Sequence, residues 1–155
     1  MTQTSAAAVE VPTEPMRIQT RFGEMVVDPV SILRMPRGML GFASLHQYAL
    51  ASLPEERFGR FKLLQSLDTP ELSFVVLPYE VSDNLLAQAD IDDAYKTVGI
   101  AAGAGALLLV VSIRKSGEQV IVSVNLRAPV VVDVKNRAAW QFVLNKSEYS
   151  VRHTL

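Results

Sequence analysis

The stretch Gln119-Val120-Ile121-Val122-Ser123-Val124-Asn125-Leu126 decides the fold class. Val120, Val122, Val124 and Leu126 alternate with Gln119, Ser123 and Asn125, and Ile121 is the one residue out of step. A period of two is that of a strand with one buried face, because successive side chains of an extended chain point to opposite sides. Burying four such side chains gains on the order of 6 to 12 kcal/mol gross. That holds the register against a one-residue slip even after ordering entropy is subtracted. The valine and leucine face is read as core.

Residues 106–114 are predicted to pair with this strand through Lys115-Ser116-Gly117-Glu118, a polar loop whose glycine can take positive φ. Residues 130–134 and 140–144 supply two further strands, divided by the polar turn Lys135-Asn136-Arg137. Toward the N-terminus, Pro29, Pro36, Gly38, Gly41, Pro54, Gly59, Pro70 and Pro78 punctuate the chain. They leave residues 32–35, 47–53, 61–67 and 72–77 as pieces of strand length. Residues 17–22 and 25–28 flank Gly23-Glu24, a pair compatible with a tight hairpin turn.

Helix is expected only within 82–89 and 91–98, because Asp90-Ile91-Asp92-Asp93 places acids where a helix start favours them. The fold class is therefore mostly β: a small antiparallel β-barrel-like or sandwich domain with one or two short helices. Residues 1–15 contain no Lys or Arg and no long apolar run, and read as a disordered leader. Residues 16–155 form a single domain, a length that suits one core.

Several chemistries are excluded by residue type. With no cysteine there is neither a disulfide framework nor a thiolate ligand or nucleophile. His46 and His153 are the two histidines, and no Gly-x-Ser-x-Gly occurs, so a hydrolase triad lacks its parts. His46, in Ser44-Leu45-His46-Gln47-Tyr48, reads as a hydrogen-bonded structural imidazole at a strand entrance. Asp90, Asp92 and Asp93 are not followed by EF-hand spacing and read as a helix cap with a solvated acidic face.

The glycine- and alanine-rich run 99–105 lacks the Lys-Ser/Thr of a phosphate loop and reads as a connection. The uncharged run 97–113 approaches membrane-spanning length, yet its Gly/Ala half followed by a Leu/Val half is that of a loop feeding a buried strand. No cofactor or metal is expected.

The charges are segregated along the chain. Between Lys62 and Lys96 lie Asp68, Glu71, Glu80, Asp83, Asp90, Asp92 and Asp93 with no base among them, a formal −7, whereas residues 96–155 carry a formal +5. Either both sets scatter over the folded surface and neutralise, or the acids form a patch that steers a basic partner. The overall charge of −1 argues against direct binding of nucleic acid, which needs Lys and Arg presented together.

Four stretches resemble the FliW family of flagellar assembly factors. They are Arg21-Phe22-Gly23-Glu24, Met35-Pro36-Arg37-Gly38-Met39-Leu40-Gly41-Phe42, the block from Leu64-Gln65-Ser66 through Asp68-Thr69-Pro70 to Val76, and Val124-Asn125-Leu126-Arg127-Ala128-Pro129 with Gln141 and Tyr149-Ser150-Val151-Arg152-His153. Met35 and Leu40 depart from the phenylalanine and proline usual there. What the resemblance implies is a cytoplasmic partner switch that binds flagellin and, when flagellin is exported, binds and antagonises the translational regulator CsrA; the chain is expected to be a monomer. It implies no membrane association and no catalysis.

Candidate partner-binding residues are Asp90, Asp92 and Asp93 of the acidic stretch, Asn125 and Arg127 expected on one outer surface, and Arg152 and His153 of the C-terminal motif. For Asn125 a turn-stabilising role is the alternative. The competing reading is a small β-barrel that binds a ligand or hydrolyses one in its interior. It needs polar groups converging in a pocket, whereas the clearest inward face is Val, Val, Val, Leu. Direct RNA binding by the basic C-terminal half is a third reading, set back by its few aromatics, Trp140, Phe142 and Tyr149.

Overall fold

The computed structural model describes residues 14–53, 59–101 and 103–155. In chain order the strands are β1 (Met16–Thr20), β2 (Gly23–Val27), β3 (Ile32–Arg34), β4 (Gln47–Ser52), β5 (Lys62–Ser66) and β6 (Ser73–Pro78). After them come the helix α1 (Gln88–Val98) and then β7 (Gly105–Ser116), β8 (Gln119–Val124), β9 (Val130–Asp133), β10 (Ala138–Gln141) and β11 (His153–Thr154). Most of the expected leader, residues 1–13, together with the expected break at Pro54 and residue 102 of the glycine-rich run, lies outside the described residues.

Strands β3 to β7 pair antiparallel in sequence order, each with the next. β7 also pairs β9, β9 pairs β10, and β10 returns to β3, so seven strands close on themselves. The mostly antiparallel barrel is thus present. Its closing seam is parallel and brief, one paired position, Ala138 with Arg34, beside the hydrogen bond from Arg34 N–H to the Arg137 carbonyl at 2.9 Å.

Closure of the sheet places alternate side chains inside. Leu33, Tyr48, Leu64, Val76, Leu108, Val130, Val132 and Ala139, one or two from each barrel strand, meet in the lumen with Met35 and Met39. The lumen is a packed core, as small barrels require.

The outer face is covered in two places. α1 and the C-terminal segment bury Leu63, Val75, Leu77, Leu107, Leu109 and Val131 under Leu86, Ile91, Ala94, Leu144 and Tyr149. The β1–β2 hairpin lies over Ala49 and Ala51 with Val27.

Four expectations are corrected. The first hairpin turns at Arg21-Phe22, because Gly23 at φ 97° opens β2 while the Thr20 hydroxyl binds the Gly23 carbonyl across the turn at 2.8 Å. The β7–β8 turn is two residues, Gly117-Glu118, with Gly117 at φ 64°, so Lys115 and Ser116 belong to the strand.

The alternation in β8 is real but only its inner half is core. Val124 is fully buried and Leu126 nearly so, while Val120 is 57 % exposed, because the tip of the β7–β8 hairpin projects beyond the barrel rim. Finally, β10 begins at Ala138, directly after Arg137 at φ 52° ends the turn, and stops at Gln141, short of the expected 144. Among the described residues no helix is long and apolar enough to cross a membrane. The run 97–113 is helix end, loop and strand.

Candidate functional site

α1 starts at Gln88, earlier than the acids predicted, and its N-cap residue Ala87 makes no side-chain cap. Asp90, Ile91 and Ala94 fall on one helical stripe and are buried together. Asp90 is therefore turned inward and does not form part of a solvated acidic face. Its Oδ1 lies 2.7 Å from Lys146 Nζ, and its Oδ2 accepts from the Tyr149 hydroxyl. That hydroxyl in turn accepts from the Ala87 N–H at 3.0 Å.

The bonds from Lys146 and then Tyr149 hold the Asp90 carboxyl below its usual range against the desolvation that opposes them. Burial, with the Asp90 bond second, pushes the Tyr149 phenol up. The cluster ties the C-terminal segment to the start of α1. The stripe 90, 91, 94 and 98 was the signal in the sequence that separates Asp90 from its neighbours.

Asp92 and Asp93 do face solvent. Gln88 Nε2 donates to Asp92 at 2.9 Å across one helical turn. Of the seven acids in the −7 stretch, three have work inside the fold. Asp68 accepts the His46 and Gln47 N–H groups at 3.1 and 3.2 Å; Asp83 holds Arg60 with two hydrogen bonds of 2.9 and 2.8 Å; Asp90 is placed as above. His46 sits at the entrance to β4 with Nδ1 3.1 Å from the Met35 carbonyl.

Between β8 and β9 the partners on β7 slip in register, and Asn125 to Pro129 form the bulge that takes up the slip. Asn125 Oδ1 accepts the Arg127 and Ala128 N–H groups at 2.9 and 3.1 Å, the turn-stabilising role. The Arg127 guanidinium donates to the carbonyls of Tyr149 at 2.9 Å and Ser147 at 3.0 Å. Both side chains are thus directed onto backbone and do not stand out together from an outer surface.

Gln141 joins this bulge to the loop after β3, receiving the Leu40 N–H at 2.8 Å and donating to the Ala128 carbonyl at 3.1 Å. Gln65 is buried and brackets the turn before β6 through the carbonyls of Ser66, Pro70 and Leu72 at 2.9, 2.9 and 3.1 Å. These scaffold roles of Gln65, Gln141, Lys146 and Tyr149 depend on tertiary contacts that periodicity does not report.

Arg152 and His153 lie at the C-terminal edge. His153 pairs with Val124 in the β8–β11 ladder, and Arg152 is exposed. His153 also borders an open depression of about 570 Å³ whose walls include Phe61, Leu77, Leu85 and the Arg60–Asp83 ion pair. One histidine and the Arg60–Asp83 ion pair stand at its rim. Among the described residues no three His, Asp or Glu side chains come together as a metal site. Of the expected residues, Asp92 and Asp93 on α1 and Arg152 beside β11 are exposed and His153 is half-buried, whereas Asp90, Asn125 and Arg127 hold the scaffold.

The family model described as "FliW protein" matches residues 17–155. The chain belongs to the FliW family. It is 34 % identical over 145 residues to the flagellar assembly factor FliW of Syntrophus aciditrophicus, covering 88 % of this chain and 84 % of that one. It is 30 % identical over 138 residues to the flagellar assembly factor FliW of Oceanobacillus iheyensis, covering 87 % and 90 %. A crystal structure of the flagellar assembly factor FliW superposes with a TM-score of 0.70 at 26 % identity, over 90 % of this chain and 96 % of the other. The four stretches that resemble the family in sequence fall at the β1–β2 turn, in the loop after β3, at the turn bracketed by Gln65, and at the Asn125 bulge with the C-terminal segment.

Proposed function

We propose that this FliW-family chain works in the cytoplasm as a partner switch, binding flagellin and, once flagellin is exported, binding and antagonising CsrA. The observation that carries the reading is the family match over residues 17–155 on a scaffold whose lumen is filled. Binding then falls to the outside, and no catalytic step is required of any side chain. If the two partners exclude each other, free flagellin lowers the concentration of chain available to CsrA by mass action, and the coupling runs equally in reverse. The exposed acids Asp92 and Asp93 supply the part of the acidic stretch that can face a basic, RNA-binding partner and repel competing phosphates. Arg152 and His153 are the second contact region of this reading, and the chain acts as a monomer without touching nucleic acid or membrane itself.

The test is crosslinked purification from the native cytoplasm, with identification of what co-elutes, repeated in a flagellin deletion. Flagellin is expected in the first sample and enrichment of CsrA in the second. Absence of both from the wild-type chain overturns the reading. Charge reversal at Asp92 and Asp93 that leaves CsrA affinity and its salt dependence unchanged removes the role given to those acids.

A further inference from the structure

The projecting β7–β8 hairpin carries a feature of which the family reading uses only the neighbouring Arg152. Inside the barrel, Leu108 and Val110 of β7 face the lumen. Two residues and four residues further on, Ser112 and Arg114 lie on the same side of the strand, past the rim. Cross-strand pairing sets Ser123 opposite Ser112 and Ile121 opposite Arg114, and Thr154 of β11 lies beyond Ser123. Arg152, two residues before Thr154, falls on that same side.

These six residues and Ile113 line a depression of about 260 Å³. Arg114 and Arg152 are both exposed, one from each flank, and no carboxylate belongs to the lining. The rest of the lining is three hydroxyl residues and two isoleucines, so the surface offers donors and positive charge to a single anionic group.

The edge of β7 beside this face is open. The β6 ladder ends at Val76 with Val110, and among the described residues no strand pairs β7 beyond Val111 on the side away from β8. Backbone groups alternate along a strand, so those of Ile113 and Lys115 point to this edge, as the Leu107 carbonyl does further back where it accepts the Tyr79 N–H at 2.9 Å. Ile113 is 56 % exposed there.

We infer that this arm is a docking site for an extended, acidic segment of a protein partner, which adds to the open β7 edge and seats one carboxylate between Arg114 and Arg152. Three observations select that occupant. The depression is smaller than the roughly 300 Å³ at which sites for small metabolites begin, yet holds one acidic side chain. Two arginines are few for a nucleic-acid backbone, whose binding draws on about six to ten phosphate contacts. An unpaired strand edge beside the charge pair suits a polypeptide, which supplies main-chain hydrogen bonds as well as the side chain. The inference rests on the reading that this chain acts by binding proteins, and assigns one surface to it.

The experiment titrates the full ¹⁵N-labelled chain with a capped (Thr-Glu)₃ peptide and follows amide resonances, with capped (Thr-Gln)₃, inorganic phosphate and a short single-stranded RNA in parallel. (Thr-Glu)₃ is expected to shift the amides of residues 112–115 and Ser123, with affinity lower by about tenfold for (Thr-Gln)₃ and for the R114Q/R152Q variant, the scale of two exposed ion pairs. Equal binding of the two peptides, shifts elsewhere only, or stronger competition by phosphate or RNA at the same amides each overturns it. The peptide comparison uses the wild-type chain and stands if the double variant misfolds. Loss of both partners in the crosslinking experiment would overturn the partner switch. By contrast, retained partners with no distinction between (Thr-Glu)₃ and (Thr-Gln)₃ overturn this inference alone.

Discussion

Truncation of the three alternating valines of β8 to alanine measures where the core ends along one strand. Val124 is fully buried and packs with Val111 and Leu126. Its loss of two methyl groups removes roughly 1.6 kcal/mol of transfer free energy, and a cavity adds to that, for about 2 to 3 kcal/mol. Val122 is half-buried against the same cluster, and about 1 kcal/mol is expected. Val120 is 57 % exposed, and its truncation is expected to cost under about 0.5 kcal/mol.

Urea unfolding followed by the fluorescence of Trp140, the one tryptophan, reads all three, with unchanged m-values confirming a common unfolding reaction. For a chain of this size each kcal/mol corresponds to about 2 to 4 °C in the thermal midpoint. A Val120→Ala variant as destabilised as Val124→Ala would refute the projecting arm, and with it the docking face built on that arm.

Asp90→Asn is expected to flatten the acid limb of the stability curve. The Asp90 carboxyl is held low by Lys146 and Tyr149, so its contribution is complete above the unfolded value of about 3.9 and is lost as pH falls through the lower folded one. An unchanged acid midpoint in the variant would contradict the cluster. Gly38→Ala places a Cβ onto the Phe42 carbonyl at a backbone φ of 63°. Strain and overlap together are expected to cost about 2 to 5 kcal/mol, read as a lowered urea midpoint. Arg127→Ala removes two bonds to the Ser147 and Tyr149 carbonyls. Faster amide exchange confined to residues 144–150, with about 1 to 2 kcal/mol lost overall, is expected, and uniform exchange across the barrel would argue against the brace.

The strands were legible because Pro and Gly stand between short apolar-rich runs, and β3 to β6 fall within a residue or two of the expected pieces. Alternation in β8 told which side chains share a face but was silent on how far along the strand the barrel extends. Helix α1 was placed through its acids, yet Asp90 belongs with Ile91 and Ala94 and only Asp92 and Asp93 reach solvent. Asn125 and Arg127 share an apparent outer face in the sequence, and both instead satisfy backbone at a bulge, since a register slip between β8 and β9 is invisible until the partner strand is known. The family resemblance was the most informative signal, and Gln65, Asn125, Arg127, Gln141 and Tyr149 within it hold the scaffold together.

The single parallel position at which β10 meets β3 carries a consequence for biosynthesis. All other barrel ladders join segments that emerge close together from the ribosome, so the meander can zip up as it is made. The ring itself cannot shut until Ala138 follows Arg34 by about a hundred residues of translation. Until then the nascent chain exposes two unpaired strand borders and an uncovered lumen, the condition in which chains self-associate. Truncated products ending before β10 are therefore the species that chaperones and proteases must intercept.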